Sequence, residues 1–344
     1  MKNIQFLTGC EAAVKGALEA GAEAMFGYPI TPSTEILQSW ITEAEQNKPL
    51  KYLQTEDETS AGFAVCGALL AGTKAFTATA GPGNVLMQDP LSMSENLRLP
   101  FVCIVMQRGG PSTGTVNFSQ QEVTLSAFGG NGDGLRFVYS ASTVEEMYTL
   151  TVKAFSTAWK YRFPTFVLGD GHLSKMKMNA NIVKPINSVK SSLILKESKA
   201  PTFLRNCYSS EESFGQKLKV NIEEWKAAAQ KIEEFELYKV GDAKELIIAH
   251  GSVADAAKDA VDILRSHRRK IGLFRPITVH PIASVALRKA VAKTKRVFVV
   301  ESSLDQLSRI VKYETSGLKT PIVEISKPAE SFSAEEIVKK IIVS

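Results

Sequence analysis

The chain of 344 residues has little of what a membrane or secreted protein needs. Its longest apolar runs, such as those at 246–249 and 297–300, have the length of strands, whereas a helix that spans a bilayer needs roughly 20 apolar residues. The first residues pass directly into a helical pattern without the apolar stretch of a signal peptide. We therefore expect a cytoplasmic protein without a membrane segment.

Cysteine and an excess of one charge are also scarce. The four cysteines, Cys10, Cys66, Cys103 and Cys207, lie far apart, and no Cys-x-x-Cys pair is present. Iron–sulfur clusters and structural zinc sites usually need such closely spaced thiolates, so we expect no metal on this chain and any redox cluster on another chain. The net charge is only +5 and the basic residues are dispersed, which argues against a nucleic-acid partner.

Short apolar runs alternate with amphipathic segments along most of the chain. The runs at 24–26, 75–78, 101–105 and 165–168 are apolar on successive residues, which favours a parallel sheet covered by helices on both faces. A second alternation begins at 246 and ends in a helix whose start, Ser333 and Glu336, has the capping-box pattern. The sequence predicts an α/β protein with two doubly wound domains, at 1–180 and 242–344, joined by a connecting segment at 181–241.

Four loops that follow predicted strands are unusual, and ligands of doubly wound sheets bind beyond the carboxyl ends of the strands. The loops lie at 27–35, 54–62, 77–84 and 108–114. In the first, Thr31 followed by Pro32 is typical of an N-cap and a first helical residue, and such a helix start either is simply capped or binds a substrate carboxylate. In the fourth, Arg108 is either a carboxylate clamp or an ordinary surface arginine.

The second and third loops contain acids and glycines. Glu56, Asp57 and Glu58 precede a helix of small apolar residues. Acids are common at a solvated helix start, but tight packing of this helix would turn at least one of them inward, where burial raises its pKa and lets it transfer a proton. Gly81 and Pro82 lie in a strand-to-helix turn, where glycine lets the backbone approach a ligand closely.

Together these loops resemble the alpha subunits of 2-oxoacid:ferredoxin oxidoreductases, particularly the 2-oxoisovalerate and 2-oxoglutarate types. The resemblance covers almost the whole chain and implies a thiamine-diphosphate-binding pyrimidine domain followed by a smaller transketolase C-terminal-like domain. The matching motifs are Gly-Tyr-Pro-Ile-Thr-Pro-Ser-Thr-Glu at 27–35, Gln-Thr-Glu-Asp-Glu at 54–58, Thr-Ala-Gly-Pro-Gly at 79–83, Gln-Arg-Gly-Gly-Pro-Ser-Thr-Gly at 107–114 and Gly-Leu-Phe-Arg-Pro-Ile-Thr at 272–278.

The resemblance also implies a catalytic residue. In the family a glutamate hydrogen-bonds the aminopyrimidine ring of thiamine diphosphate and stands nine residues before a glycine of the next helix. Glu58 has that spacing to Gly67, and we choose it over Glu56. Its bond to the ring favours the imino tautomer, which removes the reactive thiazolium proton.

Other positions follow from the same resemblance. Thr31 and Arg108 match positions that contact the substrate. Residues of three of the four loops are expected to line the cofactor pocket. They are Tyr28, Pro29, Ile30, Glu58, Gly81 and Pro82.

The sequence lacks the other half of a thiamine-diphosphate site. Thiamine enzymes bind the diphosphate through Mg²⁺ on a Gly-Asp-Gly motif followed by an asparagine pair, and the triplets at 132–134 and 169–171 have no such pair at a suitable distance. The resemblance assigns the diphosphate and Mg²⁺ to a beta subunit and [4Fe-4S] clusters to gamma, delta or ferredoxin-like subunits. It also implies ferredoxin as electron acceptor and coenzyme A as acyl acceptor. We expect the chain alone to be inactive.

The choice of 2-oxoacid depends on the loop at 115–118. Sequences of the 2-oxoglutarate type tend to read Leu-Pro-Thr-Arg there, whereas this chain reads Thr-Val-Asn-Phe, so that Phe118 replaces an arginine. An apolar side chain favours a branched-chain 2-oxoacid such as 2-oxoisovalerate over 2-oxoglutarate or pyruvate. Two alternatives stay open: a subunit of another thiamine enzyme, such as a 2-oxoacid dehydrogenase or a transketolase-like protein, and a non-catalytic assembly subunit.

Overall fold

The computed structural model describes residues 3–183 and 204–344. Its strands are β1 (Ile4–Leu7), β2 (Ala24–Gly27), β3 (Lys51–Gln54), β4 (Ala75–Thr79), β5 (Val102–Gln107), β6 (Phe137–Ser140), β7 (Thr165–Asp170), β8 (Met178–Asn181), β9 (Phe235–Tyr238), β10 (Glu245–Ile248), β11 (Ile271–Pro276), β12 (Thr278–His280), β13 (Arg296–Glu301) and β14 (Ile322–Ser326). Its helices are α1 (Gly9–Glu19), α2 (Thr34–Gln46), α3 (Glu58–Leu70), α4 (Pro82–Leu86), α5 (Gln88–Leu97), α6 (Val123–Phe128), α7 (Val144–Tyr161), α8 (Gly171–Lys175), α9 (Glu211–Ile232), α10 (Gly251–Ser266), α11 (Ser284–Ala292), α12 (Gln306–Glu314) and α13 (Ala334–Val343).

The larger sheet has seven strands in the order β12-β6-β7-β5-β4-β2-β3. The six strands of this sheet that come from the first half of the chain run parallel to one another, whereas β12 pairs antiparallel with β6. β1 and β8 form a separate antiparallel pair. Strands β4, β5, β6 and β7 are buried along their whole length, as expected for parallel strands covered on both faces. β3 forms the edge, and all of its residues are exposed.

The smaller sheet has the order β14-β13-β10-β11-β9, in which β9 is antiparallel to β11 and the other pairs are parallel. No strand was predicted between 181 and 241, yet β9 lies there. As a half-exposed edge strand it lacks the apolar run that marks the inner strands. Helix α9 begins earlier than the polar helix expected near 222–235. Residues 184–203 of the predicted connecting segment lie outside the described residues.

The two sheets are joined by shared structure. β12 follows β11 directly but pairs with the larger sheet, and His280 at its end hydrogen-bonds the carbonyl of Gly134 at 2.9 Å. Arg275 of β11 is buried and forms ion pairs with Glu146 of α7 and, at 3.1 Å, with Glu236. These contacts fix the second half of the chain on the first. The division at 1–180, 181–241 and 242–344 stays a prediction.

Two further expectations concern the helices. The capping box at the last helix is confirmed, because Ser333 accepts from the backbone of Glu336 and Glu336 accepts from the backbone of Ser333. None of the helices within 3–183 and 204–344 combines the length with the apolar character that a membrane crossing requires.

A candidate active site at the edge of the larger sheet

The four unusual loops meet at one edge of the larger sheet. They follow β2, β3, β4 and β5, which are neighbours in the order β5-β4-β2-β3. These strands run parallel, so their carboxyl ends lie side by side. The fold therefore brings the candidate residues of all four loops together at this edge of the sheet.

The three acids of the second loop have three different environments. Asp57 is the N-cap of α3, and its carboxylate accepts the N–H of Ser60 at 2.7 Å, which lowers the pKa of Asp57. Glu56 is exposed and accepts the hydroxyl of Ser60 at 3.1 Å. Glu58 is 3% exposed. The inward-facing acid expected from the sequence is thus Glu58.

The carboxylate of Glu58 lies against the backbone of Gly83. A Cβ atom added to Gly83 would be 2.2 Å from Glu58 Oε1 and 2.3 Å from Thr79 Oγ1, so only glycine fits there. Within the described residues, Glu58 Oε1 and the hydroxyls of Thr77 and Thr79 are buried without hydrogen-bond partners. Burial raises the pKa of Glu58, and its own backbone N–H and Arg108 offset this rise only in part. The result is a carboxyl group that holds a proton more readily than an exposed one.

This close approach predicts a specific effect of Gly83→Ala. The added methyl group would displace Glu58 and Thr79, so we expect at least a tenfold loss of kcat/KM in the assembled complex. Gly67→Ala is the matched control, because Gly67 lies on the same helix as Glu58 and an added Cβ would meet nothing within 4 Å. Alanine there should leave activity unchanged and stabilise α3 by up to about 1 kcal/mol. Steady-state kinetics and thermal unfolding of both variants check this. Equal activity of the two alanine variants would contradict the placement of Glu58.

Arg108 joins three of the loops. Its side chain is buried, and Nη1 donates to the carbonyl of Thr31 at 2.8 Å. Its Nε is buried, has no hydrogen-bond partner in the part of the chain that the structure describes, and lies against Gly81, where an added Cβ would be 2.6 Å away. Gly81 has a φ of 54°, which few residues other than glycine adopt. Arg108 is therefore an inward guanidinium at the centre of the site and not a surface arginine.

The structure also places Glu122 in this group, which the sequence did not indicate. Its Oε1 accepts the N–H groups of Gly81 and Arg108 at 2.9 and 3.0 Å, and its Oε2 accepts the side-chain amide of Asn84 at 3.1 Å. Burial raises the pKa of Glu122 to about 7, although these donors and the Arg108 charge favour the ionised form. In the sequence Glu122 precedes a short helix and has no feature that separates it from an ordinary acidic helix start.

The first loop differs from the expectation in detail. Thr31 is not an N-cap, because α2 begins at Thr34 and its N-cap is Ser33. The amide and the hydroxyl of Ser33 both donate to the carbonyl of Ile30 at 2.8 Å, which closes a turn across Thr31 and Pro32. Thr31 thus meets Arg108 through its backbone. Tyr28 is 38% exposed, and Pro29 and Ile30 are partly buried at the rim of the site.

Phe118 does not face the site. It is 5% exposed and packs with apolar residues of the second half, and its ring centroid lies 4.7 Å from that of His172. Directly after Phe118, Ser119 and Gln120 donate hydrogen bonds to the carbonyls of Ser302 and His250 in the second half of the chain. These bonds place Phe118 at the junction between the two halves. The expectation that Phe118 contacts the substrate is therefore wrong.

The two Gly-Asp-Gly triplets occupy different settings. Asp170 is the N-cap of α8, and its carboxylate accepts the N–H groups of His172 and Leu173 and the hydroxyl of Ser252. Asp133 is exposed in a loop. In the part of the chain that the structure describes, no three His, Cys, Asp or Glu residues are grouped as a metal site would need.

Comparison with known proteins assigns the chain to a family. Residues 15–243 match the thiamine-diphosphate-binding model of pyruvate flavodoxin/ferredoxin oxidoreductases, and residues 243–329 match core domain II of pyruvate:ferredoxin oxidoreductase. The chain belongs to the alpha subunits of the 2-oxoacid:ferredoxin oxidoreductases. The predicted family and the predicted α/β fold are confirmed.

Relatives of this 2-oxoacid:ferredoxin oxidoreductase subunit have different names. The 2-oxoglutarate synthase subunit KorA of Methanocaldococcus jannaschii is 33% identical over 88% of this chain and 90% of its own length. The ketoisovalerate oxidoreductase subunit VorB of Methanothermobacter marburgensis is 33% identical over 90% of this chain and 89% of its own length. The 2-oxoglutarate:ferredoxin oxidoreductase of Magnetococcus marinus, solved with 2-oxoglutarate, coenzyme A and succinyl-CoA bound, has a TM-score of 0.89 and 26% identity. That match covers 99% of this chain but 65% of the solved chain.

The site of this 2-oxoacid:ferredoxin oxidoreductase subunit fits one half of thiamine diphosphate. An aminopyrimidine ring presents a ring nitrogen and an amino group, and Glu58 Oε1 is a buried acceptor with no partner within the described residues. Because Gly83 has no side chain, its backbone packs directly against this carboxylate and holds it in place. A diphosphate needs a bound cation, and residues 3–183 and 204–344 offer no cluster of acidic, histidine or cysteine ligands for one.

Proposed function

We propose that this chain binds the pyrimidine half of thiamine diphosphate and the carboxylate of a 2-oxoacid. The complex to which it belongs then oxidatively decarboxylates the 2-oxoacid to acyl-CoA and carbon dioxide and reduces ferredoxin. The observation that carries the proposal is the buried, unpartnered Glu58 Oε1 at the carboxyl edge of a thiamine-diphosphate-binding domain. A catalytic proton relay needs a carboxyl group in this condition.

Glu58 is the proposed catalytic residue. When bound, thiamine diphosphate would supply a nucleophilic carbon for the 2-oxo group and a cationic ring that takes up the electron pair left by carbon dioxide. Glu58 would hold a proton between its Oε1 and the pyrimidine ring nitrogen, and burial, which raises the pKa of Glu58, favours the form that carries this proton. Residues 28–30, Gly81 and Pro82 would enclose the ring and exclude water.

Arg108 and Thr31 are the proposed substrate residues. The guanidinium already has one hydrogen bond to Thr31 and has further N–H donors for a carboxylate. Because decarboxylation removes this carboxylate, Arg108 must hold it in position without stabilising the bound substrate too strongly. A single arginine within hydrogen-bonding reach of one turn is suited to such moderate binding.

A branched-chain 2-oxoacid such as 2-oxoisovalerate is the proposed substrate, on grounds other than Phe118. The loops at 27–35, 54–62, 77–84 and 108–118 all lie within the described residues, and Arg108 is the only Lys or Arg among them. A second carboxylate, as in 2-oxoglutarate, would find no cation besides Arg108 in these four loops. An apolar substrate side chain needs none.

The proposed complex supplies what this chain lacks. A beta subunit would bind the diphosphate with Mg²⁺, and gamma, delta or ferredoxin-like subunits would carry [4Fe-4S] clusters that pass electrons to ferredoxin. Coenzyme A would accept the acyl group. We propose a cytoplasmic location for this complex and no activity for the chain alone.

The test is a substrate panel on the complex purified after co-expression with the products of neighbouring genes. Reduction of methyl viologen is measured with coenzyme A and 2-oxoisovalerate, 2-oxoglutarate or pyruvate. We expect the highest kcat/KM with 2-oxoisovalerate and no reduction when coenzyme A is omitted. A preference for 2-oxoglutarate would contradict the branched-chain proposal alone, whereas no reduction with any 2-oxoacid would contradict the proposed activity.

A further inference from the structure

Glu122 is a buried carboxylate that links parts of the site far apart in sequence. It is the residue before α6, and its Oε1 is shared by the backbone N–H groups of Gly81, in the turn after β4, and Arg108, at the end of β5. Its Oε2 accepts Asn84 of α4. One side chain therefore sets the distance between the glycine turn and the arginine.

The segment around Glu122 is anchored from the opposite side. Gln120 exchanges two hydrogen bonds of 3.0 Å with Ser302 and donates to the carbonyl of His250 at 2.8 Å. Gln306 donates to the carbonyl of Gln121 at 2.6 Å. The neighbours of Glu122 are therefore held by residues that follow β10 and β13 in the second half of the chain.

The cost of burying an ionised carboxylate at Glu122 indicates a role beyond structural stability. Burial disfavours its ionised form, so a neutral side chain of the same shape would be cheaper to bury. An ionised carboxylate, however, makes stronger hydrogen bonds to backbone amides than a neutral amide does. It holds Gly81 in its unusual conformation and keeps the Arg108 backbone from rotating.

We propose that Glu122 is a positioning residue, which fixes the Gly81 turn and Arg108 as one unit and so orients the guanidinium toward the substrate carboxylate. This rests on the function proposed above for Arg108. Glu122 itself touches neither substrate nor cofactor. It acts through the two N–H groups that it accepts, and its loss should weaken substrate binding more than it slows turnover.

The environment of Glu122 also gives the proposal a pH signature. The groups that face it are Cys103 of β5, Arg108 directly after β5 and Asn84 of α4, and Arg108 is the cation among them. Because the folded-state pKa is raised to about 7, the contribution of this group to stability is full below its ordinary value of 4.5 and is lost as the pH rises through 7. Ionised Glu122 therefore lowers stability at pH 8. Protonation of Glu122 below pH 7 should weaken its hydrogen bonds to the N–H groups of Gly81 and Arg108.

The test uses Glu122→Gln, Glu122→Asp and Glu95→Gln in the co-purified complex. Glu95 is a matched control, since it is a buried glutamate of the same domain that pairs with Arg136. For Glu122→Gln we expect the KM of the 2-oxoacid at pH 8 to rise about tenfold or more, with kcat within about threefold and a Tm at pH 8 not below that of the unchanged complex. In the unchanged complex we expect the KM of the 2-oxoacid to rise as the pH falls below 7, and this rise should be absent from Glu122→Gln. Glu122→Asp keeps the charge on a shorter side chain, and its KM should lie between those of Glu122→Gln and the unchanged complex. Glu95→Gln should lower Tm without changing KM.

A second readout does not depend on turnover. Thiamine diphosphate is titrated into the cofactor-free complex and its Kd is measured by calorimetry, with a weakening of about threefold or more expected for Glu122→Gln alone. An unchanged KM and Kd in Glu122→Gln, or a lowered Tm with unchanged KM as in Glu95→Gln, would overturn the positioning role. If the unchanged complex oxidises no 2-oxoacid, the proposed function fails, and the thiamine titration still decides whether Glu122 shapes the site.

Discussion

Replacing Glu58 with glutamine is expected to lower kcat of the assembled complex by about 10²- to 10⁴-fold, the usual contribution of a positioned acid–base group. Glutamine fills the same space beside Gly83 but cannot hold or transfer the proton. Assembly should persist, because burial already favours the neutral form of Glu58 and a neutral amide there is not penalised. Methyl viologen reduction and gel filtration of the complex measure both effects.

Glu56→Gln is the control for this prediction. Glu56 lies two residues away in the same acid-rich turn, but it is exposed and accepts one hydrogen bond from the Ser60 hydroxyl. We expect its turnover to stay within about twofold of the unchanged complex, as is usual for an exposed side chain outside the chemistry. Similar losses in the two variants would assign the effect to the charge of the turn and not to Glu58.

Replacing Arg108 with lysine is expected to raise the KM of the 2-oxoacid about 10- to 100-fold. Lysine keeps the positive charge but loses the planar fork that binds Thr31 and a carboxylate at the same time. Loss of a charge-assisted hydrogen bond costs about 1.5–3 kcal/mol, which corresponds to this range. The KM of coenzyme A should stay unchanged, and steady-state kinetics with each substrate varied in turn separate the two effects.

Arg288→Lys is the matched control, since Arg288 also donates to backbone carbonyls, those of Glu314 and Ser316, but lies in the second half of the chain. It should lower Tm slightly and leave both KM values unchanged. If Arg108→Lys raised both KM values equally, or behaved like Arg288→Lys, Arg108 would be a structural arginine that does not bind substrate.

The inner strands of the fold follow from the sequence because they are apolar on both faces. β4, β5 and β7 are buried throughout, so their sequences contain continuous apolar runs. β3 is an exposed edge strand, and β12 is a three-residue strand that pairs with Val138 and Tyr139 in the other half of the chain. Their pairing is decided by tertiary contacts that no local pattern records.

The candidate site was predictable to the extent that its residues lie at the ends of strands. Glu58 and Arg108 occupy such ends, and the helix after Glu58 is apolar enough to require burial. Glu122 was not predictable, because its function depends on hydrogen bonds to residues 41 and 14 positions earlier. Phe118 shows the opposite failure. Its place in a motif suggested a substrate contact, whereas the direction of the backbone after it takes the ring into the junction between the two halves.

The most direct test of the account is the rate at which the C2 proton of thiamine diphosphate exchanges with deuterium in the assembled complex. Quenched-flow NMR measures this exchange without any 2-oxoacid, so it reports activation separately from substrate binding. We predict rapid exchange in the unchanged complex and in Glu56→Gln, and exchange slower by about 10²-fold or more in Glu58→Gln. Equal exchange rates in Glu58→Gln and the unchanged complex would contradict the claim that this chain activates the cofactor.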